Sequence, residues 1–383
     1  MAGGVRRIPR LSAEVVAECL RTATAAPSIH NTQPWLFRVR GREIEVWADR
    51  RRQLSVLDPD GRQMFISLGA AIFNLRVAML THGRIPVLHL LPEPGSPELA
   101  ARIQAGPTTA PSATAAVLAA AIPRRHTNRR PFQAAAVPWP VLDDLISAAA
   151  AEGSRLTVAD PIVRDAILSL TSVGDELLNR SPAYHAELAA WAGGGPRRDG
   201  IPAYAFPPQD TTGRLPLRRF GPSSGSDAFE RPPTLVRLTT SGDMPYDWIR
   251  AGQAIQRVLL TATARRLDAS PINQALEVAE LRRLVGGQGH AQMVLRIGYG
   301  EPSRGTLRRA LVDVLDDGEW SRRAGGGPRP RDEGGRRGRR GRPRSSLAVL
   351  SADAVDNAVD SESLQTGLDH GSVSRCHDGG RIA

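Results

Sequence analysis

The chain has no lysine: all 50 of its basic residues are arginine, and with 37 glycines and 30 prolines this bias fits a GC-rich genome. Cysteine is nearly absent, with Cys19 and Cys376 at opposite ends of the 383 residues. Two such residues build neither a disulfide framework nor a thiolate metal site, which predicts a reducing, cytoplasmic location. The eight histidines are scattered with no pair at ligand spacing near an acid, so no metal site is expected. Aromatic residues make up only 4% of the chain. No run approaches the roughly 18–20 uninterrupted apolar residues that span a bilayer. The opening Met-Ala-Gly-Gly-Val-Arg-Arg has no apolar core behind its charges, so neither a membrane span nor an export signal is expected.

The net charge of +11 is unevenly distributed. Residues 321–344 hold ten arginines against Asp332 and Glu333, while 345–383 are acidic, which leaves the body at about +7. A basic body favours anionic ligands, phosphates among them. The tail has almost no aromatic residues for base stacking and is rich in glycine. Residues 319–383 therefore read as a disordered extension, of the kind a frame-shifted reading of GC-rich DNA produces, and nucleic acid is not an expected partner.

Ser12 begins the first readable unit, as N-cap of a helix with Glu14 in its first turn. Val16, Cys19, Leu20 and Ala23 give that helix one apolar face, and Pro27 ends it. Segments 35–40 and 43–48 alternate around Gly41-Arg42 as a hairpin. A helix is expected over 63–82 and a strand over 85–91. The proline-, alanine- and threonine-rich stretch 92–115 reads as a surface connection. An amphipathic stretch precedes residue 124, and a further helix lies near 138–151. Residues 193–233 are dense in glycine, proline and arginine and too long for a passive loop, which marks a lid or binding loop, or disorder. A strand near 234–240, a helix at 247–267 and a last strand at 291–298 follow. The helices beginning GAAIFNL (69–75) and GQAIQRV (252–258) share Gly, Ala and Ile at matched positions, and the elements around them recur in the same order. This points to an internal duplication.

Two segments carry chemistry. APSIHNTQPW (26–35) sets Ser28, His30, Asn31, Thr32 and Gln33 just past a helix end, between Pro27 and Pro34. So many hydrogen-bonding groups on irregular chain suit a planar polar ligand, or equally a turn stabilised by its own side chains. RRHTNRRPF (124–132) packs four arginines, a histidine and a threonine into seven positions where a helix is expected to begin. Arginine forks and a hydroxyl at a helix start suit a phosphate monoester; the alternative is a solvated basic loop.

RRHTNRRPF resembles the flavin-phosphate motif of FMN-dependent nitroreductases, and PSIHNTQPW resembles their Pro-Ser-Ser-x-Asn-x-Gln-Pro-Trp segment, with Ile29 in place of the second serine. In nitroreductases the basic motif comes first, and a homodimer builds each FMN site from both subunits. Here the order is reversed, about ninety residues apart, which resembles the Acg family of actinobacterial FMN-binding proteins. The resemblance covers roughly residues 10–316. It implies an α+β, nitroreductase-like fold with two similar halves in one chain forming a pseudo-dimer: residues 1–115, and residues 116–318 with the lid-like insertion 193–233.

Carried over by position, Arg125, His126, Thr127 and Arg129 would contact the FMN phosphate and ribityl chain, and Pro27, Ser28, Ile29 and Asn31 the flavin from the other half. ASPINQ (269–274) resembles the stretch whose backbone faces the flavin N5 edge, implicating Pro271, Ile272 and Asn273, although helix packing explains that composition as well. Arg308, with Arg309, falls where relatives place a late phosphate-binding basic residue. The implied activity is NAD(P)H-dependent reduction of a small electron acceptor through FMN, with no dedicated catalytic acid or base. The alternative is storage or sequestration of FMN beneath a lid, with IPAYAFPP (201–208) as cover. A monomer or a homodimer is compatible with the pseudo-dimer.

Overall fold

The structure is a computed structural model that describes residues 11–316, apart from 111, 194–196 and 223–224. The expected tail from 319 onward lies outside the described residues, as does part of the expected lid.

The elements in chain order are α1 (Ala13–Thr24), β1 (Trp35–Arg40), β2 (Glu43–Ala48), α2 (Arg62–Thr81), β3 (Arg84–Leu90), β4 (Leu99–Thr108), α3 (Ala113–Ala121), α4 (Trp139–Ala150), β5 (Arg155–Val158), α5 (Pro161–Asn179) and α6 (Pro182–Trp191). After them come β6 (Gln209–Asp210), β7 (Ser226–Asp227), β8 (Thr234–Thr240), α7 (Pro245–Ala264), β9 (Asp268–Pro271), α8 (Ala279–Gly286), β10 (His290–Gly298) and α9 (Leu311–Val314). Local chemistry places many of these as expected. The Ser12 side chain accepts from the Val15 amide and caps α1. Gly41, at φ 63°, makes the tight turn of the β1–β2 hairpin.

Two four-stranded antiparallel sheets form, ordered β1-β2-β4-β3 and β5-β8-β10-β9. Each is built by the same run of helix, strand, strand, long helix, strand, strand, and each places its four strands in the spatial order first, second, fourth, third. The second half differs by insertion: α5, α6 and an irregular strap separate its first two strands, and α8 its last two. The expected pair of similar halves in one α+β chain is thereby present.

The long helices α2 and α7, 20 residues each, are the matched pair seen in the sequence, and they cross at the matched glycines. A Cβ on Gly69 would lie 2.1 Å from the Ile249 carbonyl oxygen, and one on Gly252 would lie 2.0 Å from that of Ile66. The contact is reciprocal, as at the two-fold interface of a dimer, and admits only glycine. Buried on nearly every side, α2 is a core helix: Phe65, Leu68, Ile72 and Leu75 all lie inside. That explains how it is long and apolar enough to cross a membrane by composition alone.

Two expectations fail. The stretch read as a surface connection contains β4, in which Leu99, Ala100, Ala101 and Ile103 are fully buried. Its alanines, prolines and threonines carry little strand signal, yet β4 lies between β2 and β3 and pairs with both. No helix begins at RRHTNRRPF either. The chain there is irregular, Thr127 bridges to Ala269 and Phe132 to Gly300, and the next helix starts at Trp139.

The chain ends cross between the halves. Residues 125–132 leave the first sheet to lie beside the second, while Leu315 returns to bridge Phe37 in β1, with Arg38 and Asp316 paired at 2.6 Å. One side of the resulting interface is therefore framed by segments from both halves.

Candidate functional site

A cleft lies where α2, α7, the loop after α1, residues 125–129 and β9 meet. Its broad part holds about 1090 Å³ of empty space, counting its solvent-facing mouth, and a narrow part adds about 440 Å³. The two parts share Pro27, Ser28, Arg125, His126, Thr127 and Arg129 in their walls. Ile29, Pro271, Ile272 and Asn273 face the broad part; Asn31 and Arg308 face the narrow one. All twelve residues singled out in the sequence thus converge on one cleft, from four separate stretches of chain.

The loop 28–33 is held in an uncommon conformation. His30, Asn31 and Gln33 have φ of 44°, 55° and 50°, in the left-handed region that non-glycine residues seldom occupy. Ser28 Oγ accepts from the Gln33 amide at 2.9 Å, and Ser67 Oγ of α2 accepts from the Ile29 amide at 3.2 Å. Asn31 donates to the Gly200 carbonyl at 3.0 Å and accepts from Arg308 at 3.1 Å. Gln33 donates to the Arg198 carbonyl and accepts from the Arg309 amide, each at 2.8 Å. The self-stabilised turn and the ligand wall are one object: side chains between 28 and 33 fasten the loop, and the strain turns His30 inward. His30 Nδ1 is buried without a partner. Burial, reinforced by the Arg218 and Arg129 guanidiniums, holds the imidazole well below its ordinary pKa and therefore neutral at pH 7.

The basic segment divides between solvent and cleft. Arg124 and Arg130 are exposed, whereas Arg125 and Arg129 turn inward. Arg125 makes no ion pair among the described residues, and its Nε has no hydrogen-bond partner. Burial, with Arg308 beside it, lowers its pKa to about 9. Arg308 is lowered to about 10 by burial; it reaches Asn31, the Thr306 hydroxyl at 2.7 Å and backbone carbonyls, while its Nε stays unpaired. Arg129 is lowered to about 10 by burial and then by Arg218; it lies 4.9 Å from the Phe220 ring centroid and donates to the Ala205 carbonyl at 3.3 Å. Three guanidiniums without a carboxylate, Arg125 buried and Arg129 and Arg308 half-buried, are costly unless an anion joins them. Arg309, by contrast, serves the Gln33 and Asp313 backbone.

Asn273 bonds through its side chain to the Val294 amide at 3.0 Å and to Met293 Sδ, so it locks β9 onto β10 and leaves backbone facing the cleft. Gly305 packs on His126, where a Cβ would come within 2.4 Å of the ring.

Residues 197–222 form the strap over the cleft. Ile201 closes the narrow part; Pro207, Leu217, Arg218 and Phe220 line the broad part. Of the expected cover 201–208, Ile201 and Pro207 reach the cleft walls, Phe206 stacks outside on Phe220, and Tyr204 reaches the Gly305 carbonyl at 2.9 Å. Arg218 is buried against Glu277 and the Tyr184 hydroxyl; burial opposes its charge, but Glu277 more than restores it and holds the pKa above the ordinary value. Sequence reading missed Leu217, Arg218, Phe220, Ser67 and Thr306. Each reaches the cleft through long-range packing, and no local pattern marks it.

The profile of the nitroreductase family matches residues 209–299. A Mycobacterium tuberculosis (strain H37Rv) protein named provisionally as the NAD(P)H nitroreductase Rv3131 is 35% identical over 322 residues, covering 80% of this chain and 92% of the relative. The acg protein of the same organism, named in the same way, is 27% identical over 320 residues, covering 80% and 96%. Among solved structures, the FMN-dependent nitroreductase NfnB of Mycobacterium smegmatis in complex with NADPH is 15% identical and covers 53% of this chain and 99% of its own, with a TM-score of 0.35. The identity and mutual coverage with the mycobacterial relatives place this chain in the nitroreductase family, in its Acg-like actinobacterial branch.

Proposed function

We propose that the cleft holds one FMN and that the chain is an NAD(P)H-dependent flavin oxidoreductase whose single polypeptide supplies both sides of the site. The observation that carries the reading is the group of acid-free guanidiniums, Arg125 and Arg308 above all, whose buried Nε atoms are unpaired and want an anion. They would hold the phosphate at the narrow end, where Thr127, Thr306 and His126 add polar groups. The broad part, flanked by Ile255, Ile272 and Leu295, suits a planar ring system. Two of the mycobacterial relatives are named provisionally as NAD(P)H nitroreductases, and several solved nitroreductases hold FMN. These names support the cofactor for this chain.

FMN, when bound, supplies hydride and electron transfer. The protein's own residues do the rest. Arg125 and Arg308 anchor the anion, the loop 28–33 and β9 orient the ring system, and Leu217 and Phe220 keep water out. His30 is neutral and so offers a hydrogen bond rather than a proton at pH 7. Residues 1–115 and 116–318 act as the two partners of a pseudo-dimer around this one site, compatible with a monomer.

A second reading, storage of FMN with little turnover, is favoured by the fastening of the strap. It is tied down by Asn31 to Gly200, Gln33 to Arg198 and Arg218 to Glu277. One experiment separates the two. The full chain is purified and its visible spectrum recorded anaerobically before and after NADPH or NADH. Bleaching of the flavin band near ~450 nm supports the oxidoreductase. A yellow protein that ignores both nucleotides but is reduced by dithionite supports storage. A colourless protein that takes up no added FMN refutes both.

A further inference from the structure

Each sheet has two outer strands, and three of these edges are sealed or blunted. On β1 the returning chain end lies alongside: Leu315 bridges to Phe37, and the Asp316 amide donates to the Phe37 carbonyl at 2.9 Å. Thr127 bridges to Ala269 of β9, and β3 carries Pro86, which interrupts the amides of an edge. β5, the counterpart of β1 in the second half, has no such cover among the described residues. The Ala159 amide donates to the Leu235 carbonyl at 2.9 Å, so alternation turns the backbone groups of Arg155 and Thr157 towards β8 as well. It leaves the amides and carbonyls of Leu156 and Val158 pointing outward, a template for another strand.

The surroundings of this edge suit a partner too. A groove with about 1060 Å³ of empty space, counting open solvent, runs between β5 and α4 from Trp139 to Ser154. Trp139 at the start of α4 is 62% exposed, and Ile162 at the start of α5 is 83% exposed. Leu156 packs with Leu142 and Leu145 of α4, and Ala159 with Ile167 of α5, so the two helices cover opposite faces of the sheet. An apolar side chain is therefore bared on each face beside the edge, as a sheet continued into a second molecule requires. Ser154 lines the groove and is 6% exposed, and its hydroxyl has no hydrogen-bond partner. Asp160, at the other end of the groove, accepts the Val163 amide through Oδ1 at 2.9 Å, which leaves Oδ2 for another donor.

These features complement one another about a two-fold axis. We propose that β5 pairs antiparallel with β5 of a second copy of this chain, with the axis at Thr157, and joins the two second-half sheets into one. Leu156 then lies opposite Val158 of the second copy, and each such pair exchanges both N–H···O bonds. In the same register Ser154 falls opposite Asp160 of the second copy, so the unpartnered hydroxyl gains a carboxylate at each end of the ladder. A slip of one residue would set outward groups against inward ones, and a slip of two separates Ser154 from Asp160. The contact is isologous and uses no residue of the cleft, so it does not depend on the flavin reading.

The test uses the full chain in sedimentation velocity, from about 1 to 100 µM. The expected result is a reversible monomer–dimer equilibrium that Trp139→Arg and Val158→Pro each weaken by about tenfold or more, with circular dichroism unchanged. Because the Val158 amide faces the open edge, proline there removes no bond to β8. Asp160→Asn, which keeps the α5 cap, should weaken the dimer severalfold. Thr157→Cys in a Cys376→Ser background tests the register. Across a non-hydrogen-bonded pair the two Cα atoms lie about 4.5 Å apart, inside the disulfide range, so this variant should oxidise to a linked dimer. A monomer throughout the concentration range, a dimer indifferent to both Trp139→Arg and Val158→Pro, or no disulfide from Thr157→Cys overturns the proposal. So does a monomer whose Leu156 and Val158 amides resist hydrogen exchange, since another segment of the same chain would then cover the edge.

Discussion

Replacing Arg125 with methionine should make the FMN-free protein more stable and the FMN complex weaker. The guanidinium is 6% exposed, has no acidic partner among the described residues, and has its pKa lowered to about 9 by burial and by Arg308. At 1.36 kcal/mol per unit, that shift caps the cost of its charge at ~5 kcal/mol. Water entering the cleft screens part of this, and replacing buried charges by apolar groups of similar size is stabilising by about 1–4 kcal/mol in the best-studied cases. We expect a gain of ~1–3 kcal/mol for Arg125→Met without FMN, read from urea unfolding followed by tryptophan fluorescence. The same change removes a charge-assisted hydrogen bond worth about 1.5–3 kcal/mol, so calorimetry should show FMN binding roughly 10- to 150-fold weaker.

The pH dependence has a definite sign. Because burial lowers the Arg125 pKa in the folded state to about 9, the folded FMN-free protein carries fewer protons than the unfolded chain above about pH 9. Its stability should therefore rise with pH from about 9 upward, and the Arg125 share of that rise should vanish in the variant. Affinity for inorganic phosphate should fall over the same range as the guanidinium discharges. An Arg125→Met protein less stable than the wild type, with phosphate affinity intact, would refute the assignment of an anion site.

Two further variants test the frame around the cleft. Gly69→Ala gains roughly 1 kcal/mol of helix propensity, but its Cβ would lie 2.1 Å from the Ile249 carbonyl oxygen. Forcing the helices apart should cost more than it gains, for a net loss of ~2 kcal/mol or more in urea unfolding; stability at or above wild type would show that the crossing is loose. Glu230 pairs with the fully buried Arg296 at 2.6 and 2.8 Å and also accepts from the Phe132 amide, joining the root of the strap to the basic segment. Glu230→Ala strands the Arg296 charge between Phe132 and Phe229 and should cost about 3–5 kcal/mol. Arg296→Met added to it should recover most of the loss, and a single variant within 1 kcal/mol of wild type would count against the clamp.

Much of the site is legible in the sequence because it is assembled from short contiguous stretches. Residues 27–31 and 125–129 each carry their chemistry within a few positions, and both reach the cleft. The hairpin 35–48 and the helices α2 and α7 follow from alternation and helical spacing, which are local properties. The matched glycines of α2 and α7 pointed to a duplication before any strand was paired.

What only the tertiary structure decided is the set of contacts between distant segments. Periodicity within 124–130 cannot tell Arg125 and Arg129, which face the cleft, from Arg124 and Arg130, which face water, because the backbone there follows β9 rather than a helix. The signal in β4 was weak because its burial comes from lying between two strands rather than from its own composition. Arg218 and Phe220 lie some ninety residues beyond the basic motif and line the cleft because the strap is fastened by Asn31, Gln33 and Glu277. The sequence by itself determined two similar halves and an anion-seeking segment. Packing of Gly69 on Gly252, and the crossing of the chain ends between sheets, turned them into one cleft, because closure is a long-range contact that no local pattern encodes.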